Sequence, residues 1–117
     1  MEIIRKSEID NIDRGDYVIK RLFTLGFDDS PKDVGFYETT IPVGGICKEQ
    51  WHKKSYEAVY FLSSGQAIIE GATFNLDKGD LAIVYPGEKH AWCPIKEELV
   101  LFAMRFPHLI EDKFTND

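Results

Sequence analysis

Short apolar runs alternate with turn residues along the whole chain. The runs fall at 2–5, 17–25, 36–42, 47–53, 58–63, 66–70, 72–76, 81–85, 90–93 and 99–106. Between them lie Asp28-Asp29-Ser30-Pro31, Gly44-Gly45, Ser63-Ser64-Gly65, Gly71, Asp77-Lys78-Gly79-Asp80 and Pro86-Gly87. The runs are rich in Val, Ile, Tyr and Phe, which suit a pleated, half-buried surface. Gly and Asp supply the backbone conformations that tight turns need. Short strands with turn signals about every 8–12 residues predict a sandwich or a barrel. No segment keeps a helical period, and only the tail after Pro107 is compatible with a short helix. The chain is expected to be all-β.

Alternation within the runs points to a core of Val59, Phe61, Ile68, Phe74, Ile83, Val100, Phe102 and Phe106. The run 99–106 is apolar on both faces. Such a strand must be covered on both sides, which predicts a second copy of the chain packed over it, a homodimer.

Length makes this a single domain over 1–117, long enough to bury a core without structural zinc or disulfides. At 44% hydrophobic and 29% charged the chain is globular. A formal net charge of −6 argues against nucleic acid and anionic membrane surfaces as partners, because both reward basic patches. No apolar run approaches the roughly 20 residues that span a bilayer, and the start, MEIIRKSEID, carries no apolar signal segment. Cytoplasmic localisation is expected. Cys47 and Cys93 are then expected to be free thiols.

Against this background a set of polar residues stands inside apolar strands. It runs Gly44-x5-Gln50-x-His52-x4-Glu57-x7-Gly65, then Gly79-x5-Tyr85-x-Gly87-x2-His90. Residues two apart in a strand share a face, so Gln50 and His52 point together, as do His90 and Trp92. Glu57 opens an apolar strand, where a buried carboxylate needs a partner. Taken singly, each is a hydrogen-bonded barrel histidine or a surface carboxylate. As a set, two imidazoles and a carboxylate form a facial-triad ligand pattern for a divalent transition metal (Fe, Mn, Zn or Ni). Gln50 could add a carbonyl oxygen.

Other side chains suit a small-molecule site. Arg21 lies among apolar neighbours on the Tyr17 face and could hold a carboxylate or phosphate. Tyr37 and Thr39 share a face that could line a barrel, and Trp92 could wall it. Arg105 is expected to face away from the site if Met104 faces in. His108 is expected to be an exposed strand-end residue.

These two blocks resemble the two motifs of the cupin superfamily, Gly-x5-His-x-His-x3–4-Glu-x6-Gly and Gly-x5-Pro-x-Gly-x2-His-x3-Asn. Gln50 stands at the first His position, His52 at the second and Glu57 at the carboxylate. Gly79, Gly87 and His90 match the second motif, where Tyr85 stands for Pro and Pro94 for Asn. The resemblance covers about residues 35–106 and implies a double-stranded β-helix, or jelly-roll barrel, with a short C-terminal tail. It also implies metal bound by Gln50, His52, Glu57 and His90.

Within cupins, Phe36-Tyr37-Glu38-Thr39-Thr40-Ile41, Trp51-x5-Glu57-Ala58-Val59-Tyr60 and Tyr17-x3-Arg21 are similar to ectoine synthase. That family closes a ring by eliminating water from an N-acetylated diamino acid with an iron ion. Glu57 and His90 match two of its ligands, its third (a tyrosine) falls near Ala82, and its active-site cysteine falls at Met104. The resemblance implies substrate contacts from Tyr17, Arg21 and Met104; the strand faces add Thr39 and Trp92 as candidate substrate-binding residues. The expected function is that of a metal-binding cupin with lyase or isomerase chemistry on a small polar metabolite, with Tyr85 or Tyr37 moving protons. Alternatives are an Fe(II) dioxygenase and a non-enzymatic cupin binding a sugar or other small ligand.

Overall fold

The structure, a computed structural model, describes residues 1–16, 18–24, 33–45 and 47–116. Its strands are β1 (Glu2–Ile4), β2 (Ile12–Asp13), β3 (Val18–Ile19), β4 (Gly35–Ile41), β5 (Gln50–Trp51), β6 (Tyr56–Phe61), β7 (Gly65–Ile69), β8 (Ala72–Leu76), β9 (Leu81–Val84), β10 (His90–Cys93), β11 (Leu99–Phe106) and β12 (Phe114–Thr115). The only helical element among the described residues is a 3-10 turn, Lys6–Glu8. Two five-stranded sheets, β1-β9-β6-β11-β4 and β12-β5-β10-β7-β8, and a small ribbon β2-β3 account for the strands. Every pairing is antiparallel. The all-β jelly roll expected from the sequence is what forms. No helix among the described residues is long and apolar enough to cross a membrane.

Strand alternation sorts the side chains into two clusters. Val59, Phe61, Ala67, Ile69, Leu76, Ala82, Val84, Trp92, Leu99, Leu101 and Ala103 fill the space between the sheets. Ala58, Leu81, Ile83 and Phe106 lie on the outer face of the first sheet, with Tyr56, Tyr60, Tyr85 and Met104. Ile4, Leu22 and Phe23 of the same chain pack on that outer face, so part of the cover expected from a second copy comes from the N-terminal segment.

Several expectations are corrected. In β7 and β11 the inward residues are Ala67, Ile69, Leu99 and Leu101; Ile68, Val100 and Phe102 are only half-buried. β11 is apolar on both faces for most of its length, and β7 ends on adjacent isoleucines, Ile68 and Ile69, that point to opposite faces, so hydrophobicity sets neither phase clearly. Ile83 and Phe106 are buried, but in the outer cluster. Among the described residues, the tail after Pro107 forms no helix. It turns at Leu109–Asp112 and adds β12 to β5, pairing Phe114 with Trp51 and Thr115 with Gln50. Cys47 and Cys93 form a disulfide in place of the expected free thiols: folding brings their Cα atoms to 5.3 Å, within bridging reach.

Candidate metal centre

The first motif supplies Gln50 and His52 at the end of β5 and Glu57 near the start of β6. The second supplies His90 at the start of β10. Gly87 joins the two: its φ of +87° is a left-handed conformation that glycine adopts freely, and its N–H donates to the His52 carbonyl at 2.6 Å. In the sheet, His90 lies directly opposite Gln50. One atom from each of His52, Glu57 and His90 lies within 4.8 Å of the others, and all three side chains are buried.

The second nitrogen of each imidazole fixes its tautomer. A carbonyl oxygen only accepts, so the nitrogen facing it carries the proton. His52 Nδ1 donates to the Asp112 carbonyl at 2.6 Å, and His90 Nδ1 donates to the Glu88 carbonyl at 3.0 Å. Both Nε2 atoms are thereby turned toward the carboxylate. His52 Nε2 faces Glu57 Oε2 at 2.8 Å; this contact is a hydrogen bond only when Nε2 carries a proton as well as Nδ1, and a bound ion would take that proton's place. His90 Nε2 is buried with no hydrogen-bond partner. An imidazole anchored at Nδ1, with its other nitrogen unsatisfied beside a carboxylate, is the outer-shell arrangement of a metal ligand. The donor set fits a divalent transition metal.

Electrostatics keep His90 and Glu57 in forms able to bind a cation. Burial lowers the His90 pKa below its ordinary value, outweighing the fields of Glu57 and Glu88, so the imidazole stays neutral. Burial pushes the Glu57 carboxyl up. The hydrogen bond from His52, together with the neighbouring imidazoles and the Arg105 guanidinium, outweighs it and holds the carboxyl below its usual range. The support under His52 is itself anchored. The Asp112 side chain accepts the backbone N–H groups of Lys53, Lys54 and Ser55 at 2.8–2.9 Å and the Ser55 hydroxyl at 3.1 Å.

His52 and Glu57 open onto a cavity of about 470 Å³, within the size range of small-ligand sites. Gln50, Tyr37, Thr39 and Trp92 also line it, as the sequence suggested. Three other candidates lie elsewhere. Tyr85 packs in the outer cluster, edge-on to Tyr56 at 5.6 Å, because alternation along β9 sends Val84 inward and the next residue out. Met104 also faces out, and Arg105 faces the cavity; the expected phase of β11 is reversed. Arg21 is exposed and does not line the cavity, since its neighbours Leu22 and Phe23 lie on the outer face. Tyr17 lies outside the described residues. Sequence reasoning turns Arg105 away from the site and makes His108 an exposed strand end, and it does not weigh Lys48 or Lys113; Arg105 and both lysines line the cavity, and His108 hydrogen-bonds the Tyr37 hydroxyl through Nε2. Glu57 marks the inner face of β6, and the pairing of β6 with β11 sets Arg105 opposite it; that register was the missing signal.

No protein-family model and no curated protein matches this sequence. Solved structures do resemble it. Streptomyces Pac13, a nucleoside dehydratase, is 11% identical with a TM-score of 0.63, over 96% of this chain and 88% of that one. A cupin protein from Bacteroides fragilis is 18% identical with a TM-score of 0.57, over 76% and 85%. A protein ascribed sugar phosphate isomerase activity, from Acidithiobacillus ferrooxidans, is 24% identical with a TM-score of 0.57, over 67% of this chain and 52% of that one. This chain spans about half the length of that last protein. At these identities the likeness is one of architecture, and architecture does not fix chemistry. The chain has the cupin fold.

Proposed function

We propose that this chain is a metal-binding cupin with lyase or isomerase chemistry on a small polar metabolite, near the ectoine synthase-like branch. The observation that carries the reading is the convergence of two oriented imidazoles and an ionised carboxylate beside a cavity of ligand size. His52, Glu57 and His90 would hold the ion, with Gln50 adding an oxygen or holding a water. A divalent transition metal (iron, manganese, zinc or nickel) would supply Lewis acidity there, polarising a carbonyl or hydroxyl. Tyr37 is placed to exchange a proton with the substrate, and His108, bonded to its hydroxyl, can replace or remove that proton. Thr39 offers a hydroxyl to a polar substituent, and Trp92 walls the cavity. The dehydratase activity of Pac13 and the isomerase activity ascribed to the Acidithiobacillus protein support chemistry of this class on this fold.

Elemental analysis of untagged protein, purified without chelator, tests the reading. Stoichiometric metal is expected, lost in Glu57→Ala. Protein that neither carries metal nor takes up added Fe(II) or Zn(II) overturns it.

One observation favours a second reading. With a proton on both His52 nitrogens, its bond to Glu57 satisfies both groups without an ion, as a metal-free cupin binding a sugar or other small ligand requires. In that case ligand binding is indifferent to chelation. We also read the chain as a homodimer through the outer face of the first sheet, where Phe36 stacks on Phe102 and remains 63% exposed.

A further inference from the structure

The charge inside the cavity runs against the charge of the molecule. The chain carries a formal net charge of −6. Yet the ionisable cavity residues besides His52 and Tyr37 are Lys48, Arg105 and Lys113 against the single carboxylate Glu57. Glu57 is already engaged by His52.

Arg105 is the unusual member of this set. Its side chain is only 7% exposed. One arm is used: Nη2 donates to the Leu109 carbonyl at 2.6 Å. The guanidinium also sits over the Tyr37 ring, 5.8 Å from its centre. Its Nε is buried with no hydrogen-bond partner, and no ion pair to Arg105 occurs among the described residues. A buried guanidinium left short of an acceptor is costly. Its planar fork suits the paired oxygens of a carboxylate or a phosphate. The two lysines on the cavity lining are exposed, where they can draw an anion inward.

We propose that the cavity takes a small organic anion, and that Arg105 holds its carboxylate or phosphate group. Cross-strand register puts Arg105 opposite Glu57, and such pairs have Cβ atoms about 5 Å apart. An anionic group on Arg105 therefore lies beside the His52–Glu57–His90 cluster, and a short carbon skeleton along Val59, Leu101 and Ala103 carries the rest of the ligand. This names the substrate class of the site proposed above. It rests on that reading only in treating the bound anion as a substrate; binding itself does not depend on metal.

Calorimetric titration tests it, with inorganic phosphate and succinate as anionic probes and uridine as a neutral control. Each is titrated into the protein as purified and again after chelation. The expected result is saturable binding of phosphate or succinate in both preparations and no comparable binding of uridine. The tighter of the two anions tells whether the natural group is a phosphate or a carboxylate. Arg105→Gln should weaken binding roughly 10- to 100-fold, the loss of a charge-assisted hydrogen bond. Arg105→Lys should restore part of it. Should the buried Arg105→Gln variant fail to fold, Lys113→Gln at its exposed position carries the test, with an expected loss of roughly two- to fivefold. Anion binding that vanishes on chelation and ignores both substitutions would assign the anion to the metal and overturn the role of Arg105, while leaving the metal reading intact. Binding of uridine alone, or of none of the three, also overturns it. Persistence of anion binding in protein that never takes up metal defeats the metal reading and leaves this one standing.

Discussion

His90 combines two properties that pull against each other. It is fully buried, and its Nε2 lacks a partner. Burial lowers its pKa, so the folded protein refuses a proton that the unfolded chain accepts. The sign follows from linkage: where the unfolded state binds more protons, stability falls as pH falls. For chelator-treated protein, the urea midpoint should decline as pH drops below about 6.5, the unfolding free energy falling by at most about 1.4 kcal/mol per pH unit. His90→Asn should flatten that decline. A midpoint that is level or rises between pH 7.5 and 5.5 would reject the account. The histidines and Glu57 were legible in the sequence because ionisable residues inside apolar strands are few and their spacing is fixed by the strands. The proton on each Nδ1 was not legible, because its acceptors come from residues 88 and 112, one of them 60 positions away from its histidine.

At the scale of elements, strand existence was easy to read and strand phase was not. β6 could be phased because Glu57, between Tyr56 and Ala58, breaks the apolar pattern on one face. β11 offers Leu, Val, Leu, Phe, Ala and Met before its only charge, so either face could have been the inner one. Pairing with β6 decides it and brings Arg105 inward. The tail was unreadable for a different reason. Its two-residue strand owes its place to β5 and to Asp112, which are tertiary causes that leave no local pattern. Asp112→Ala removes the acceptor of three backbone N–H groups and should lower unfolding stability by about 2 kcal/mol. Denaturant unfolding checks this, and a variant as stable as the parent would show that water replaces the carboxylate at no cost. Acid acts in the same direction. Burial raises the Asp112 pKa, but the hydrogen bonds from Lys54, Lys53 and Ser55 lower it further, so its contribution is lost as pH falls through the folded value.

The whole molecule joins an acidic exterior to a cavity with more cations than anions, an arrangement that residue counts conceal because the sequence gives only their sum. The disulfide was equally hidden: Cys47 and Cys93 are 46 positions apart and only the folded barrel brings them together. The outer face of the first sheet remains partly open at Phe36 and Phe102. Light scattering at micromolar concentration should return the mass of two chains, and Phe36→Ser should return one; a parent protein of single-chain mass would count against pairing through this face. One feature of the centre shapes any mutational map of the protein. Both imidazoles are steered by main-chain oxygens, those of Glu88 and Asp112. An alanine scan leaves those oxygens in place, so the steering would go unscored at position 88 and be confounded with side-chain loss at 112. Replacing the amide between 112 and 113 by an ester, which weakens the carbonyl as an acceptor, would expose it. The orientation of the two imidazoles is thus stored in the path of the chain, where substitutions at positions 88 and 112 can accumulate without erasing it.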